Sequence, residues 1–379
     1  MTTRGISVVH VAQPLELGVP RVAAELVADQ LERGWRVAVA CPERSELRAR
    51  GMAAGAAWHC WEATRSPGRA ILAESRALAR VVTDVDADLV HLHSSKAGLV
   101  GRVALRGSRP TIFQPHSWSF EAVDGAVATA AIAWERLAAR FWTDRLLCVS
   151  EDERRRGREV GVNGKYVVLP NGVDLDAHRP ATADERASAR SRLGLGPEPL
   201  AVCVGRLFVQ KGYDVLLRAW PAVREHAADA HLRIVGVGPE QEALEGLLSA
   251  GAALVGRQSA VEDWLAAADV VVIPSRWEAG LTRVAMEAMA TGRSVVASDV
   301  AGMQRGLSEG AGVVVPVGAT EPLARALAER LLDPELAAAE GTRGRATVER
   351  RYDLRDTRQR VADLCVEVVE DRRAGSRAA

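Results

Sequence analysis

The sequence predicts an α/β fold of two doubly wound, Rossmann-like parallel-sheet domains facing each other across a cleft. Three observations carry this. Short runs that are apolar throughout recur along the chain, as strands covered on both faces require, and helical patterns separate them. The alternation breaks over residues 166–199, where turn residues and prolines gather, and then restarts. The 379 residues exceed what one core usually serves. The expected division is 1–178 for the first domain, 179–198 for a linker, 199–355 for the second domain and 356–379 for a C-terminal helix.

In the first domain, residues 6–11 (ISVVHV), 36–41 (RVAVAC), 88–93 (DLVHLH), 111–114 (TIFQ) and 145–150 (RLLCVS) read as strands. Residues 20–34 read as a helix, with Pro20 in its first turn and Gly34 as its stop. Further helices are expected at 96–107 and 128–141. Residues 150–161 (SEDERRRGREVG) look like a helix opened by a capping box, Ser150 as cap and Glu153 reaching back. In the second domain, 200–205, 231–236, 252–256, 269–274, 293–298 and 312–317 read as strands, each followed by a helix. Residues 353–373 form an amphipathic helix whose tail, AGSRAA, is expected to fray. In such sheets ligands meet loops that leave the strand C-terminal ends.

Composition narrows the function. The chain carries 49 basic and 49 acidic residues, so no global field favours nucleic acid. No apolar run reaches the roughly 20 residues of a membrane helix. The start, MTTRGISVVHVAQ, reads as a first strand and not as a secretory signal. Cys41, Cys60, Cys148, Cys203 and Cys365 are scattered without a C-x-x-C pair, which suits reduced thiols in a cytoplasmic setting and argues against structural zinc. Lysine occurs only at Lys96, Lys165 and Lys211. A chain that otherwise writes arginine can keep lysine where a compact ammonium is needed.

The loop VGRLFVQKG puts Arg206 and Lys211 between a strand and a helix at the expected cleft. Two cations beside a helix N-terminus suit a diphosphate. VGVGP, residues 235–239, lacks the third glycine of a dinucleotide fingerprint, since Gln241 stands there, and reads as a tight strand-to-helix turn. Asp84, Asp86 and Asp88 precede a strand and read as a solvated turn. His91 and His93 share one strand face but lack a carboxylate or third histidine at plausible spacing, so packing near a sheet end is expected of them. Lys96 opens a helix after that strand and is the acceptor-side candidate, for an acceptor or a phosphate. His116 follows a strand end among aromatics and is a candidate for a polar contact to substrate. ERRRGRE reads as a solvated helix face, with docking to an anionic membrane as the alternative. Finally, SRWEAGLTRVAMEAMATG places Glu278 in a loop and Glu287 in an apolar helix, on either side of Gly280.

Taken together, LGVPRVAAELVADQLERGWRV, HLHSSKAGLVGR, LPNGVD, VGRLFVQKG and WEAGLTRVAMEAMATGRSVVASDVAG resemble the retaining glycosyltransferases of family 4, which have the GT-B fold. The resemblance implies a nucleotide-diphosphate sugar bound mainly by the second domain, and a C-terminal helix that crosses back to the first. Arg206 and Lys211 would hold the diphosphate, and Gly18 and Val19 would approach it through backbone. Gly280, Leu281 and Thr282 would offer amides, Glu287 the ribose contact, and Arg257 would fall in the base-contacting segment. Glu278 and His116 would contact the sugar as the catalytic pair. The leaving phosphate would take the acceptor's proton and no protein nucleophile is expected; helix-terminal amides and fixed cations would stabilise the diphosphate, so no metal or other cofactor is expected either.

Two departures stand out: Leu17 occupies a place where the family usually has glycine, and Glu278 and Glu287 are nine positions apart instead of the family's eight. A loop bulged by one residue at Ala279 keeps Glu278 at the sugar; without it Ala279 takes that position. The implied reaction is hexosyl transfer, from a UDP-sugar first and GDP-mannose next, to a hydroxyl of a lipid-linked saccharide or small metabolite. It would take place in the cytoplasm, with possible peripheral contact at the inner membrane face. A non-catalytic nucleotide-sugar-binding subunit and an epimerase on the same fold are the alternatives.

Overall fold

The computed structural model describes residues 5–16, 18–64 and 66–378, with side chains as far as 375. Leu17 and the first four residues, on which two sequence expectations fall, lie outside the described residues. The chain forms two compact units: one runs to Pro170 and includes the stretch from Asp356 onward, the other is Asn171–Arg355.

The first unit holds a seven-stranded parallel sheet: β1 (Ser7–Ala12), β2 (Arg36–Cys41), β3 (Ala57–Cys60), β4 (Leu89–His93), β5 (Thr111–Gln114), β6 (Arg145–Cys148) and β7 (Tyr166–Val168). Their order is β3-β2-β1-β4-β5-β6-β7. The second holds β8 (Leu200–Val204), β9 (His231–Val235), β10 (Ala252–Gly256), β11 (Val270–Ile273), β12 (Ser294–Ser298) and β13 (Gly312–Val315), ordered β10-β9-β8-β11-β12-β13. Each sheet reverses its winding once, between β1 and β4 and between β8 and β11. At such a reversal neighbouring loops leave on opposite faces and open a crevice at the strand C-terminal ends.

Two strands were not legible as such. β3 and β7 are edge strands of four and three residues, half-exposed along most of their length. β3 is exposed at both ends and interrupted by His59, and β7, although apolar, is three residues long and soon followed by Pro170. The central strands are covered throughout. β1 and β4 are buried at every position, and in β11 Val270 and Val272 enter one core layer while Val271 and Ile273 enter the other. That alternation is the period of two at work in a sheet covered on both sides.

Helices supply the covers. In the first unit Ala23, Leu26 and Val27 of the helix Gly18–Glu32 pack with Val361, Leu364 and Val368 of the C-terminal helix. Leu78, Val82 and Val100 form the opposite layer. In the second unit Leu216 and Trp220 meet Leu327 and Leu331 on one face, and Leu265, Met286 and Met289 fill the other. Each fully buried aliphatic side chain of this kind contributes about 1.5–3 kcal/mol. The C-terminal helix is Leu354–Ala378, so the tail expected to fray is helical where it is described.

The region read as a linker is not one. Residues 179–198 contain the helix Ala183–Arg192, opened by a capping box between Thr182 and Glu185. Arg190 fixes it to the second unit through Ala267 O at 3.0 Å and the Asp269 carboxylate at 2.9 Å. The chain passes between units at Pro170–Asn171. Prolines and glycines near that helix imitated a linker because both turns and caps use them.

Candidate functional site

The second unit places its charged candidates at the β8/β11 reversal. The loop after β8 carries Arg206, whose guanidinium lies 4.6 Å from the Phe208 ring centre. Lys211 ends a short 3-10 turn. Its Nζ lies 2.5 Å from Glu278 Oε1, in the loop after β11. Ser275 Oγ donates to the same carboxylate at 2.7 Å, and Gln210 Nε2 reaches it at 3.4 Å. Glu278 is thus aimed at the lysine of the neighbouring loop.

The two loops are built to touch. Gly212 has φ 64°, and a Cβ there would sit 2.0 Å from Pro274 O. Only glycine tolerates both the left-handed backbone and that approach. Arg276 N donates to Gln210 O at 2.7 Å, and its guanidinium grips Asp214 at 2.8 and 2.9 Å. VGVGP packs against the same loop, with Leu207 N donating to Val237 O at 3.0 Å. Its glycines serve a tight turn, as the missing third glycine implied.

Gly280 and Leu281 lead into the helix Arg283–Ala290, which Thr282 caps by accepting from Ala285 N at 3.2 Å. Gly302, at φ 80°, lets the next loop press against this turn; a Cβ would lie 2.2 Å from Leu281 N. Ala285, Met286, Ala288, Met289 and Ala290 of the helix are buried. Glu287 lies on the remaining face, where Arg283 Nε donates to it at 3.1 Å and His178 Nε2 stands 3.9 Å away. His178 has no signal in the sequence, being 109 positions from Glu287. It is brought there by Arg345, which donates to His178 O at 2.8 Å and Ala290 O at 3.0 Å. Arg257 is exposed in the loop after β10, at the sheet edge.

The first unit presents a different chemistry at its β1/β4 reversal. Gly18 begins the helix Gly18–Glu32 and Val19 is its second residue. Lys96 is not open to an acceptor: it is buried, with Nζ 2.6 Å from Glu74 Oε2. Burial of an ammonium beside a carboxylate in an otherwise closed site makes it a structural pair. Glu74 also accepts from Thr64 N at 2.9 Å, so the pair holds the segment before the helix Ile71–Asp84.

The expectation that His91 and His93 lack a third histidine is overturned. His10 of β1 pairs in register with His91 of β4, and one ring nitrogen from each of His10, His91 and His93 lies within 4.8 Å of the other two. Strand pairing, invisible to spacing along one strand, makes this cluster. His10 Nδ1 and His93 Nε2 are 2.9 Å apart, His93 Nδ1 and His116 Nε2 3.2 Å, and His10 Nε2 is 2.9 Å from Gln30 Oε1. An ion shared by the trio would have to break the His10–His93 contact.

His116 is held under strain. His116 and Ser117 have φ 56° and 128°, conformations that non-glycine residues rarely adopt. Glu153 braces them: its carboxylate accepts from Ser117 N at 2.8 Å and Val149 N at 2.7 Å, while Ser150 Oγ accepts from Glu153 N at 3.0 Å. Trp118 Nε1 donates to Glu153 O at 2.7 Å. Ser150 caps the helix as read, but the Glu153 carboxylate goes to the amides of Val149 and Ser117, a duty that was not legible. In the same helix Arg154 and Arg155 pair with Glu151 and Asp152 one turn earlier, as a solvated face does.

Burial holds all four imidazoles neutral. It pushes His10 down to about 4 and His116 down to about 3, and takes His91 and His93 well below the usual value. Burial pushes Glu153 the other way, up to about 7.

Residues 18–177 match the family described as "Glycosyltransferase Family 4", and residues 198–333 the one described as "Glycosyl transferases group 1". The chain is similar to a GDP-mannose-dependent monoacylated alpha-(1-6)-phosphatidylinositol monomannoside mannosyltransferase of Corynebacterium glutamicum. They are 32% identical over 58% of this chain and 61% of that protein, so less than two thirds of the relative is spanned. It is also similar to an alpha-D-kanosaminyltransferase of Streptomyces kanamyceticus, 30% identical over 65% of this chain and 69% of that one. In fold it resembles Anabaena HepE, whose crystal structure holds UDP-glucose, with a TM-score of 0.83, 20% identity, and coverage of 96% and 100%.

Two outcomes check this geometry. Gly302→Ala should lower the melting temperature, at a cost of about 1–3 kcal/mol for forcing a Cβ into packed backbone. A fully stable variant would mean the Gly280–Leu281 turn is not so confined. The neutral histidines predict a pH response. The unfolded chain protonates them near pH 6.5 and the folded one only lower, so their stabilisation is full above pH 6.5 and lost as pH falls toward 4 and below. Glu153 opposes this from one site, since its raised pKa favours folding at low pH. Thermal unfolding across pH 4–7 should show net acid destabilisation, and His91→Leu should reduce the linked proton uptake by about one.

Proposed function

We propose, from the premise that this chain belongs to the family 4, group 1 glycosyltransferases, that it moves a hexosyl group from a nucleotide-diphosphate sugar to a hydroxyl acceptor with retained configuration. The observation that carries the reading is the concentration of Arg206, Lys211, Glu278 and the capped helix Arg283–Ala290 at one strand-order reversal. Cations and helix-terminal amides at such a point stabilise a diphosphate as it gains charge in leaving. Lys211, released in part from Glu278 when a diphosphate arrives, is the point charge for it. Arg206 is its partner, and Arg257 faces the base end. Glu278 then accepts from sugar hydroxyls, and Glu287, steadied by Arg283 and His178, accepts from the ribose.

In the first unit His116 meets the transferred sugar, with Gly18 and Val19 as the backbone approach to the phosphates. The leaving phosphate takes the acceptor's proton, and helix-terminal amides with Arg206 and Lys211 stabilise the diphosphate in place of a metal. UDP- and GDP-sugars are the donor candidates, on the names of the relatives and on the ligand of the similar structure.

The acceptor reading is a lipid-linked saccharide. Val127, Leu137 and Phe141 are exposed along the helix Gly125–Phe141, with exposed Arg136 and Arg140 between them. Apolar groups beside arginines suit the surface of an anionic bilayer. No helix of the described residues is long and apolar enough to cross one.

A panel of UDP-, GDP- and TDP-sugars, read by binding and by slow donor hydrolysis, tests the proposal. Binding with no turnover, even with cell-derived lipid acceptors supplied, would overturn it. Glu287→Ala should weaken free nucleotide binding about 10–100-fold, the range for losing a hydrogen bond to a charged group. Glu278→Ala should leave nucleotide affinity near wild type and cut turnover about 100-fold; unchanged turnover would remove Glu278 from the sugar.

A further inference from the structure

The buried stripe of the helix Gly18–Glu32 runs Ala23, Leu26, Val27 and then Gln30, which is 1% exposed. A glutamine in place of a hydrophobe at such a position needs a reason, because its amide must be satisfied. The reason is His10, and through it a continuous line of side chains: Gln30 Oε1 to His10 Nε2 at 2.9 Å, His10 Nδ1 to His93 Nε2 at 2.9 Å, His93 Nδ1 to His116 Nε2 at 3.2 Å. Gln30 Nε2 points away, to Cys365 Sγ at 3.9 Å.

Donor and acceptor counting fixes the protons along this line. An amide oxygen only accepts, so His10 Nε2 carries hydrogen and His10 Nδ1 is bare. A bare Nδ1 requires hydrogen on His93 Nε2, which leaves His93 Nδ1 bare in turn. That atom requires hydrogen on His116 Nε2, and His116 Nδ1 is left as a lone-pair nitrogen. A second proton on His10 or His93 would set two donors against each other, and burial resists the charge at His10, His93 and His116 alike.

We infer that Gln30, His10 and His93 are positioning residues that lock His116 in the Nε2–H tautomer, so that its Nδ1 accepts a hydrogen bond from a substrate hydroxyl. This rests on the reading of His116 as the sugar contact. It adds that the contacted group must be a donor, a hydroxyl and not an ether, a fluorine or a phosphate oxygen. Strain at His116 and Ser117, held by Glu153, fits a ring whose orientation as well as tautomer is imposed.

The test needs no donor sugar. The full chain, labelled with 15N in histidine, is examined by long-range 1H–15N correlation at neutral pH. His10, His93 and His116 should each show a single tautomer with hydrogen on Nε2. Gln30→Leu removes the acceptor at the far end, and the reversed line, with hydrogen on Nδ1, should appear at His116, three side chains away. Gln30→Glu keeps an acceptor oxygen and should keep the wild-type pattern at His116. A wild-type His116 carrying hydrogen on Nδ1, or a folded Gln30→Leu protein with His116 unchanged, would overturn the inference. Should Gln30→Leu fail to fold, the wild-type and Gln30→Glu spectra still decide.

Activity separates the two readings. Gln30→Leu should lower kcat roughly tenfold, the scale of one hydrogen bond, with free nucleotide affinity unchanged. A switched tautomer with unchanged kcat would remove His116 from the sugar while leaving the relay intact.

Discussion

The two densest groupings of candidate polar side chains lie where each parallel sheet reverses its winding. A right-handed crossover carries the chain from one strand to the next on a fixed face, so a sheet can grow outward in two directions only from its middle. At that middle the following helices depart to opposite faces, and the loops between meet only at their edges, as Gly212 meets Pro274. In the first unit the point lies between β1 and β4, which carry His10, His91 and His93; in the second it lies between β8 and β11, whose loops carry Lys211 and Glu278.

The two reversals are furnished in opposite ways. At β8/β11 the groups are charged, half-exposed and paired across loops, as with Lys211 and Glu278. Such a pair is stable without ligand and can reorganise around one, since neither charge is fully withdrawn from water. At β1/β4 the groups are neutral and buried; Gln30, His10, His93 and His116 bond to one another in a line, while neither ring nitrogen of His91 has a hydrogen-bond partner among the described residues. Low dielectric makes that line of hydrogen bonds stiff and makes any added charge costly. Lys96, the one cation sequence placed there, is already neutralised by Glu74.

How much of this was legible follows from what each feature depends on. Buried central strands announce themselves by composition, and all six strands of the second sheet and five of the seven in the first were readable. β3 and β7 were not: β3 is an edge strand interrupted by His59, and β7 is three apolar residues soon followed by the proline and glycine of a turn. Glycines with local roles were also readable as loop signals. Their reasons, such as Gly212 beneath Pro274 O and Gly302 against Leu281 N, are contacts between loops far apart in sequence. The histidine cluster shows the limit most clearly. His91 and His93 are visible as a same-face pair on one strand, but their partners come from strand register (His10), a helix stripe (Gln30) and a strained turn (His116). None of these distances is encoded by local spacing. The helix Ala183–Arg192 was hidden for a different reason: caps and linkers draw on the same residues.

The contrast between the two reversals also bears on chemistry. A charged pair such as Lys211 and Glu278 can take up an anion by exchanging partners. A rigid, neutral array discriminates instead by hydrogen-bond sense, because it donates and accepts in a fixed direction and adds no charge of its own. An open lysine at position 96 would place a charge beside that array; its pairing with Glu74 removes it, so the neutral character of the β1/β4 reversal rests on a buried charge pair as well as on the imidazoles.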